Sequence, residues 1–144
     1  MTYTNETVAV FGGASGIGEA CVRLFTENNY RVLLGDNNAR RGATIAKRYH
    51  SVDFVKVDIM DRDSWGKAIN HMRDKYGHLN HYVHCPGGPV PGELEATTNP
   101  DLNGFLDMTP EDMVASVNFN LLPFMHISQE MAKFMIENSQ DSQS

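Results

Sequence analysis

Val8-Ala9-Val10-Phe11-Gly12-Gly13-Ala14-Ser15-Gly16-Ile17-Gly18 runs four apolar residues into a glycine-rich turn that opens a helical pattern. Gly12 suits a tight strand-to-helix turn, Gly16 lets the backbone come close to a pyrophosphate, and Gly18 lets the new helix pack against the strand it left. Across Ala14, Ser15 and Ile17 the helix start presents unpaired N–H groups and the positive end of its dipole, so an anion needs no basic side chain there. A glycine triplet alone is common in loops; the strand pattern before it and the helix pattern after it make it a dinucleotide-binding turn.

Outward from this turn, strand and helix patterns alternate. Thr7 to Phe11 is a continuous apolar run of the kind buried on both faces of a parallel sheet. Ile17, Ala20, Cys21, Leu24 and Phe25 follow at helical spacing and predict one buried face, ended by Asn28-Asn29. Tyr30 to Asp36 reads as a second strand whose terminal carboxylate, Asp36, stands 24 positions after Gly12, near the spacing expected of a residue that grips an adenosine ribose. A polar helix capped at Asn38 runs through Tyr49, a third strand spans Val52 to Val57 and leads into Asp58-Ile59, and a third helix covers Asp61 to Tyr76. Its apolar side is Trp65, Ala68, Ile69 and Met72, with Gly77 as the stop. Leu79 to Cys85 is the fourth strand. Such alternation implies βαβ units with right-handed crossovers.

Pro86 to Met108 reads as a long Pro/Gly-punctuated loop, placed where a ligand would sit. Thr109-Pro110-Glu111-Asp112 is a capped helix start, and the helix is expected to reach about Glu137 with a kink at Pro123. This segment is apolar nearly all round, which predicts an oligomer contact. Residues 138–144 form a polar tail expected to be disordered. The predicted fold is α/β: a Rossmann-type doubly wound parallel sheet, truncated to about four strands and four helices, in one domain over 1–137.

The 144 residues are 41% apolar and 21% charged, which is ordinary for a globular protein. A formal net charge of -6 offers no basic field for nucleic acid or an anionic membrane, and no apolar run is long enough to cross a bilayer. The N-terminus lacks the basic start and apolar core of a signal peptide, so a cytoplasmic location is expected. Cys21 and Cys85 form no disulfide framework and read as buried thiols. His78, His81, His84 and Cys85 crowd together, but strand alternation puts His81 on the opposite face from His78 and His84, so no metal site is expected.

With strand, glycine turn, helix and terminal acid in place, the chain resembles the short-chain dehydrogenase/reductase family from about Glu6 to Glu137. Gly12 to Gly18 fits that family's Thr-Gly-x-x-x-Gly-Ile-Gly turn, with Phe11 in place of the threonine. Asp36 matches the family's acid after the second strand, which implies bonds to ribose hydroxyls and a preference for NAD over NADP, since a 2′-phosphate beside that carboxylate is repelled. Arg40 and Arg41 lie beyond it, but Ser15, where NADP-using relatives often carry a basic residue, is neutral. Asp58-Ile59 resembles the pair that meets the adenine amino group and covers the ring. Val83-His84-Cys85-Pro86-Gly87-Gly88 aligns with the family's Asn-Asn-Ala-Gly segment and implies close backbone approach at Cys85 and Gly87 near the nicotinamide. Asn118, inside the long helix, matches the asparagine of the family's catalytic tetrad.

The tetrad's other members, a serine and a Tyr-x-x-x-Lys pair, are not in this sequence: none of Tyr3, Tyr30, Tyr49, Tyr76 or Tyr82 is followed four positions later by lysine. Two readings follow. One is a partial dehydrogenase chain whose family reaction, hydride transfer between NAD(P) and an alcohol or carbonyl, is lost or latent. The other is a non-catalytic nucleotide-binding or assembly module. In either case the fourth strand becomes an open sheet edge, which predicts a homo-oligomer or pairing with a missing C-terminal half.

Overall fold

The computed structural model describes residues 6–141, and the side chains of residues 6–137. They fall into two compact units, one made of 6–86 and 127–141, the other of Gly87–His126.

The first unit is built on four parallel strands, β1 (Thr7–Phe11), β2 (Arg31–Asp36), β3 (Val52–Lys56) and β4 (His81–His84), in the order β3-β2-β1-β4. Every residue of β1 is buried, as an all-apolar central strand requires. Its alternate side chains serve two cores. Ala9, Phe11 and Leu33 face α3 (Arg62–Tyr76), through Trp65, Ala68, Ile69 and Met72, together with Ile127, Met131 and Phe134 of the last helix. Val8, Val10, Val32 and Leu34 face α1 (Gly16–Glu27) and α2 (Ala39–Arg48), through Val22 and Ile45. Helices on both faces of a parallel sheet give the doubly wound layering that the alternating pattern predicts.

Local capping sets the boundaries. Asn38 accepts a hydrogen bond from the Arg41 N–H at 3.1 Å at the start of α2, and Asp61 accepts from the Asp63 N–H at 2.9 Å at the start of α3. Gly77, at φ +75°, closes α3 as a left-handed cap. Thr7 ties the entry of β4 to β1: its N–H donates to Asn80 Oδ1 at 2.8 Å and its hydroxyl to the His78 carbonyl at 2.7 Å.

The expected face of α1 is corrected. Ile17, Ala20 and Leu24 are exposed, while Gly18 and Val22 are buried and Cys21 and Phe25 half-buried. The helix lies on its glycine, so the contact row is 18, 22, 25, and a count of apolar side chains alone misses it.

In the second unit, the expected Pro86–Met108 loop instead contains α4 (Pro91–Thr98) and a 3₁₀ turn (Gly104–Asp107). Pro91 occupies the first turn, where its missing N–H costs nothing. Too short to show a stripe of its own, α4 is invisible to periodicity. The expected long helix divides into α5 (Pro110–Asn120) and α6 (Leu122–Asp141). Pro123 has no N–H to offer the turn before it, and the break falls there. Thr109 and Asp112 cap α5 reciprocally: the Asp112 N–H donates to Thr109 Oγ1 at 3.1 Å and the Thr109 N–H to Asp112 Oδ2 at 3.0 Å. Residues 138–141 are helical, beyond the expected end at Glu137. The rest of the polar tail, 142–144, lies outside the described residues. The helix total is therefore six among the described residues rather than four.

Candidate functional site

In a parallel sheet all strands end on one side, and the order β3-β2-β1-β4 makes β1 and β4 the pair between which the winding reverses. Ligands of such sheets bind in the crevice at the carboxyl ends of that pair. In the first unit those ends are Gly12 and Cys85-Pro86. Gly12 has φ +72°, and a Cβ there would lie 2.6 Å from the Pro86 nitrogen. A Cβ on Gly18 would lie 2.0 Å from the Gly12 carbonyl oxygen, so no side chain fits between helix and turn. Gly16, at φ +51°, faces open space. The turn is thus closed toward the protein and open outward at the helix N-terminus, where Ser15 is extended and makes no side-chain cap bond. That leaves the first N–H groups of α1 for an incoming anion.

Asp36 ends β2 against this turn. Its Oδ2 accepts the Ala14 N–H at 2.9 Å and its Oδ1 the Asn38 N–H at 2.8 Å. The turn is also tied to β2 by the backbone, with the Gly12 N–H donating to the Gly35 carbonyl at 2.7 Å. Arg41 is held by Glu19 in an ion pair of 2.8 Å. Asp58, just past β3, is exposed; its carboxylate accepts the Met60 N–H at 2.9 Å, and Ile59 is half-buried against the α3-side core.

At the end of β4, Tyr82 Oη lies 2.5 Å from His84 Nδ1, and the Tyr82 ring meets Phe11 edge to face at 5.7 Å. Burial pushes the Tyr82 phenol well above its ordinary range and the His84 imidazole below its own. Tyr82 therefore stays protonated and donates to Nδ1, which fixes neutral His84 as the Nε2–H tautomer. The sequence reading gives Tyr82 only as part of the fourth strand, and His84 only in the histidine–cysteine cluster and in the segment aligned with the family's Asn-Asn-Ala-Gly. Their i, i+2 spacing on one face was the available signal.

The second unit carries Gly87 and Asn118. Asn118 is exposed on α5. The asparagine that engages the Gly87-Gly88 segment is Asn120: its Oδ1 accepts the Gly88 N–H at 2.9 Å, and its Nδ2 donates to the Gly88 carbonyl at 3.1 Å and to the Ser116 carbonyl at 3.1 Å. Two asparagines two positions apart, on either side of Phe119, look equivalent in sequence, and only the helix phase distinguishes them. Among the described residues no group of His, Cys, Asp and Glu is arranged to hold a metal ion, and no helix is long and apolar enough to cross a membrane.

The short chain dehydrogenase family profile matches residues 6–142. L-fucose dehydrogenase of Rattus norvegicus is 25% identical over 125 residues, covering 87% of this chain and 46% of that protein. 3-hydroxyacyl-CoA dehydrogenase type-2 of Drosophila melanogaster is 28% identical over 142 residues, covering 96% of this chain and 54% of that protein. The fold matches a crystal structure of a short-chain dehydrogenase/reductase of unknown function from Caenorhabditis elegans, solved with cofactor, at a TM-score of 0.78 and 18% identity, over 94% of this chain and 50% of that one. The chain thus spans about half the length of the relatives it matches. A glycine turn at the switch point, an acid closing β2 against it and a family match from end to end of the described fold have one common source: this chain belongs to the short-chain dehydrogenase family.

Proposed function

We propose that this chain holds NAD, in preference to NADP, as the nucleotide-binding portion of an oxidoreductase acting on an alcohol or carbonyl. The observation that carries the reading is the Asp36 carboxylate fixed against the Ala14 N–H beside an open helix N-terminus. The site suits the nucleotide. The backbone at Gly16 is open for a pyrophosphate, the α1 amides supply its positive environment, and each Asp36 oxygen keeps a lone pair for a ribose hydroxyl. A 2′-phosphate would meet that carboxylate, with Ser15 neutral and Arg41 already paired to Glu19. Asp58 and Ile59 fit the adenine end, and Cys85 and Gly87 the nicotinamide end, by family resemblance. When bound, the nicotinamide supplies or accepts the hydride. Proton transfer to the substrate oxygen, a step typically worth about 100-fold or more, has no Tyr-x-x-x-Lys pair in these 144 residues to perform it. We therefore infer that these residues alone turn over poorly.

Calorimetric titration of the chain with NADH and NADPH tests the reading. NADH is expected to bind more tightly by about tenfold or more, and Asp36→Ala to narrow that gap. If neither nucleotide binds, the reading fails.

A second copy is the proposed partner. Val114 and Val117 on α5, Leu121 at the break and Phe124 on α6 are all exposed and form one apolar row within the second unit. Such a row is self-complementary across a two-fold axis. Val117→Asp should shift sedimentation from dimer to monomer, and a wild-type chain that sediments as a monomer at tens of micromolar rules the seam out.

A further inference from the structure

Cys21 and Cys85 are the only cysteines in the sequence, 64 residues apart in the chain, and the fold brings them together. Cys21 lies on the face of α1 turned to the sheet, packed with Val83 of β4 against the α1-side core. Alternation along β4 puts Cys85 on that same face as Val83. Cys85 is fixed by its N–H, which donates to the Phe11 carbonyl at 2.9 Å. The two sulfurs are close enough to influence one another electrostatically, and both thiols are half-buried.

We propose that Cys21 and Cys85 form a reversible intramolecular disulfide when the chain meets a peroxide, fastening α1 to the end of β4 that lies against the glycine turn. Burial first, and then the neighbouring sulfur, push the Cys85 thiol above its ordinary value, so Cys85 is the resolving sulfur and not the one that attacks first. The Cys21 thiolate attacks one peroxide oxygen, the O–O bond breaks, and a sulfenic acid forms as the other oxygen leaves and is protonated to water. The Cys85 sulfur then displaces the sulfenic oxygen as a second water. In sum two thiols lose two electrons and two protons, and hydrogen peroxide is reduced to two waters. A thiol such as dithiothreitol reverses the bond by exchange.

The bridge closes a long loop between elements already in contact, so it should raise the melting temperature. The chain is treated with hydrogen peroxide, its remaining thiols are alkylated in denaturant, and mass spectrometry and melting follow. The expected product is about 2 Da lighter with no alkyl group added, yields a Cys21–Cys85 linked peptide, and melts about 5 °C or more higher until dithiothreitol is added. Cys21→Ser and Cys85→Ser should each abolish the linked peptide and the rise. Sulfinic or sulfonic acids without a linked peptide, a bond between two chains, or a linked product that melts lower than the reduced chain would each overturn the proposal.

Discussion

Asp36 Oδ2 accepts the Ala14 N–H at 2.9 Å, so the acid that ends β2 is a structural part of the glycine turn that follows β1. The same carboxylate caps the chain on its other side through the Asn38 N–H at 2.8 Å. One side chain thus orients the turn and presents charge at its lip. Its two consequences can be separated by substitution. Asp36→Asn keeps an acceptor for one of the two amides and should cost about 1 kcal/mol of stability, whereas Asp36→Ala leaves both to water and should cost about 1–3 kcal/mol. Both variants lose the charge, so both should relax the proposed discrimination against NADPH equally. Urea melts and paired nucleotide titrations read the two effects independently.

Gly18 and Gly66 should respond in opposite directions to alanine. A methyl on Gly18 would stand 2.0 Å from the Gly12 carbonyl oxygen, and the backbone there must move; Gly18→Ala is expected to destabilise by about 2 kcal/mol or more and to spoil the turn. Gly66 sits inside α3 with nothing within 4 Å of its added Cβ. Gly66→Ala should stabilise by about 0.5–1 kcal/mol through helix propensity and a less flexible unfolded chain. Chemical denaturation of the two variants side by side checks both signs.

Asn120 and Asn118 give a third comparison. Asn120→Ala removes bonds to both backbone groups of Gly88 and should destabilise the second unit by about 1–3 kcal/mol. Asn118→Ala, at an exposed position of α5, should stay within about 0.5 kcal/mol of wild type. The pair can be read by hydrogen exchange at the Gly88 amide, which should speed up in the first variant only.

The periodic parts of the chain were the legible ones. β1 and α3 match their patterns because one is apolar throughout and the other carries Trp65, Ala68, Ile69 and Met72 at an unbroken 3–4 spacing between an Asp cap and a Gly stop. The α1 face was misassigned because its contact residue is Gly18, which has no side chain to count. α4 escaped because eight residues with no apolar stripe are held by contacts made elsewhere, such as the Ser116 hydroxyl donating to Glu93 at 3.2 Å. Spacing put Asp36 at the end of β2, where the structure has it, since strand and helix lengths are fixed by geometry. It could not show that the carboxylate faces the Ala14 amide, or that Asn120 rather than Asn118 turns toward Gly88. Those depend on helix phase and on side-chain direction, which a pattern of residue types does not encode.

The Tyr82–His84 pair predicts how stability follows pH. Burial lowers the His84 pKa below its ordinary 6.5, so as pH falls the unfolded chain takes up that proton first. The contribution is present above 6.5 and is lost as pH falls below it toward the folded-state value. Tyr82 behaves in the opposite sense. Its pKa is raised above 10, so above that pH the unfolded chain loses a proton that the folded chain keeps, and stability falls as pH rises. Tyr76, buried and bonded to Asp53, titrates in the same direction and adds to the high-pH loss. His84→Asn should therefore flatten the acid limb of a melting-temperature profile and leave the alkaline limb in place. Tyr82→Phe should reduce the alkaline loss without abolishing it, and should cost about 1 kcal/mol near pH 7 through the missing bond to His84. An acid limb that is as steep in His84→Asn as in wild type would show that His84 is not the group whose protonation unfolds the sheet at low pH.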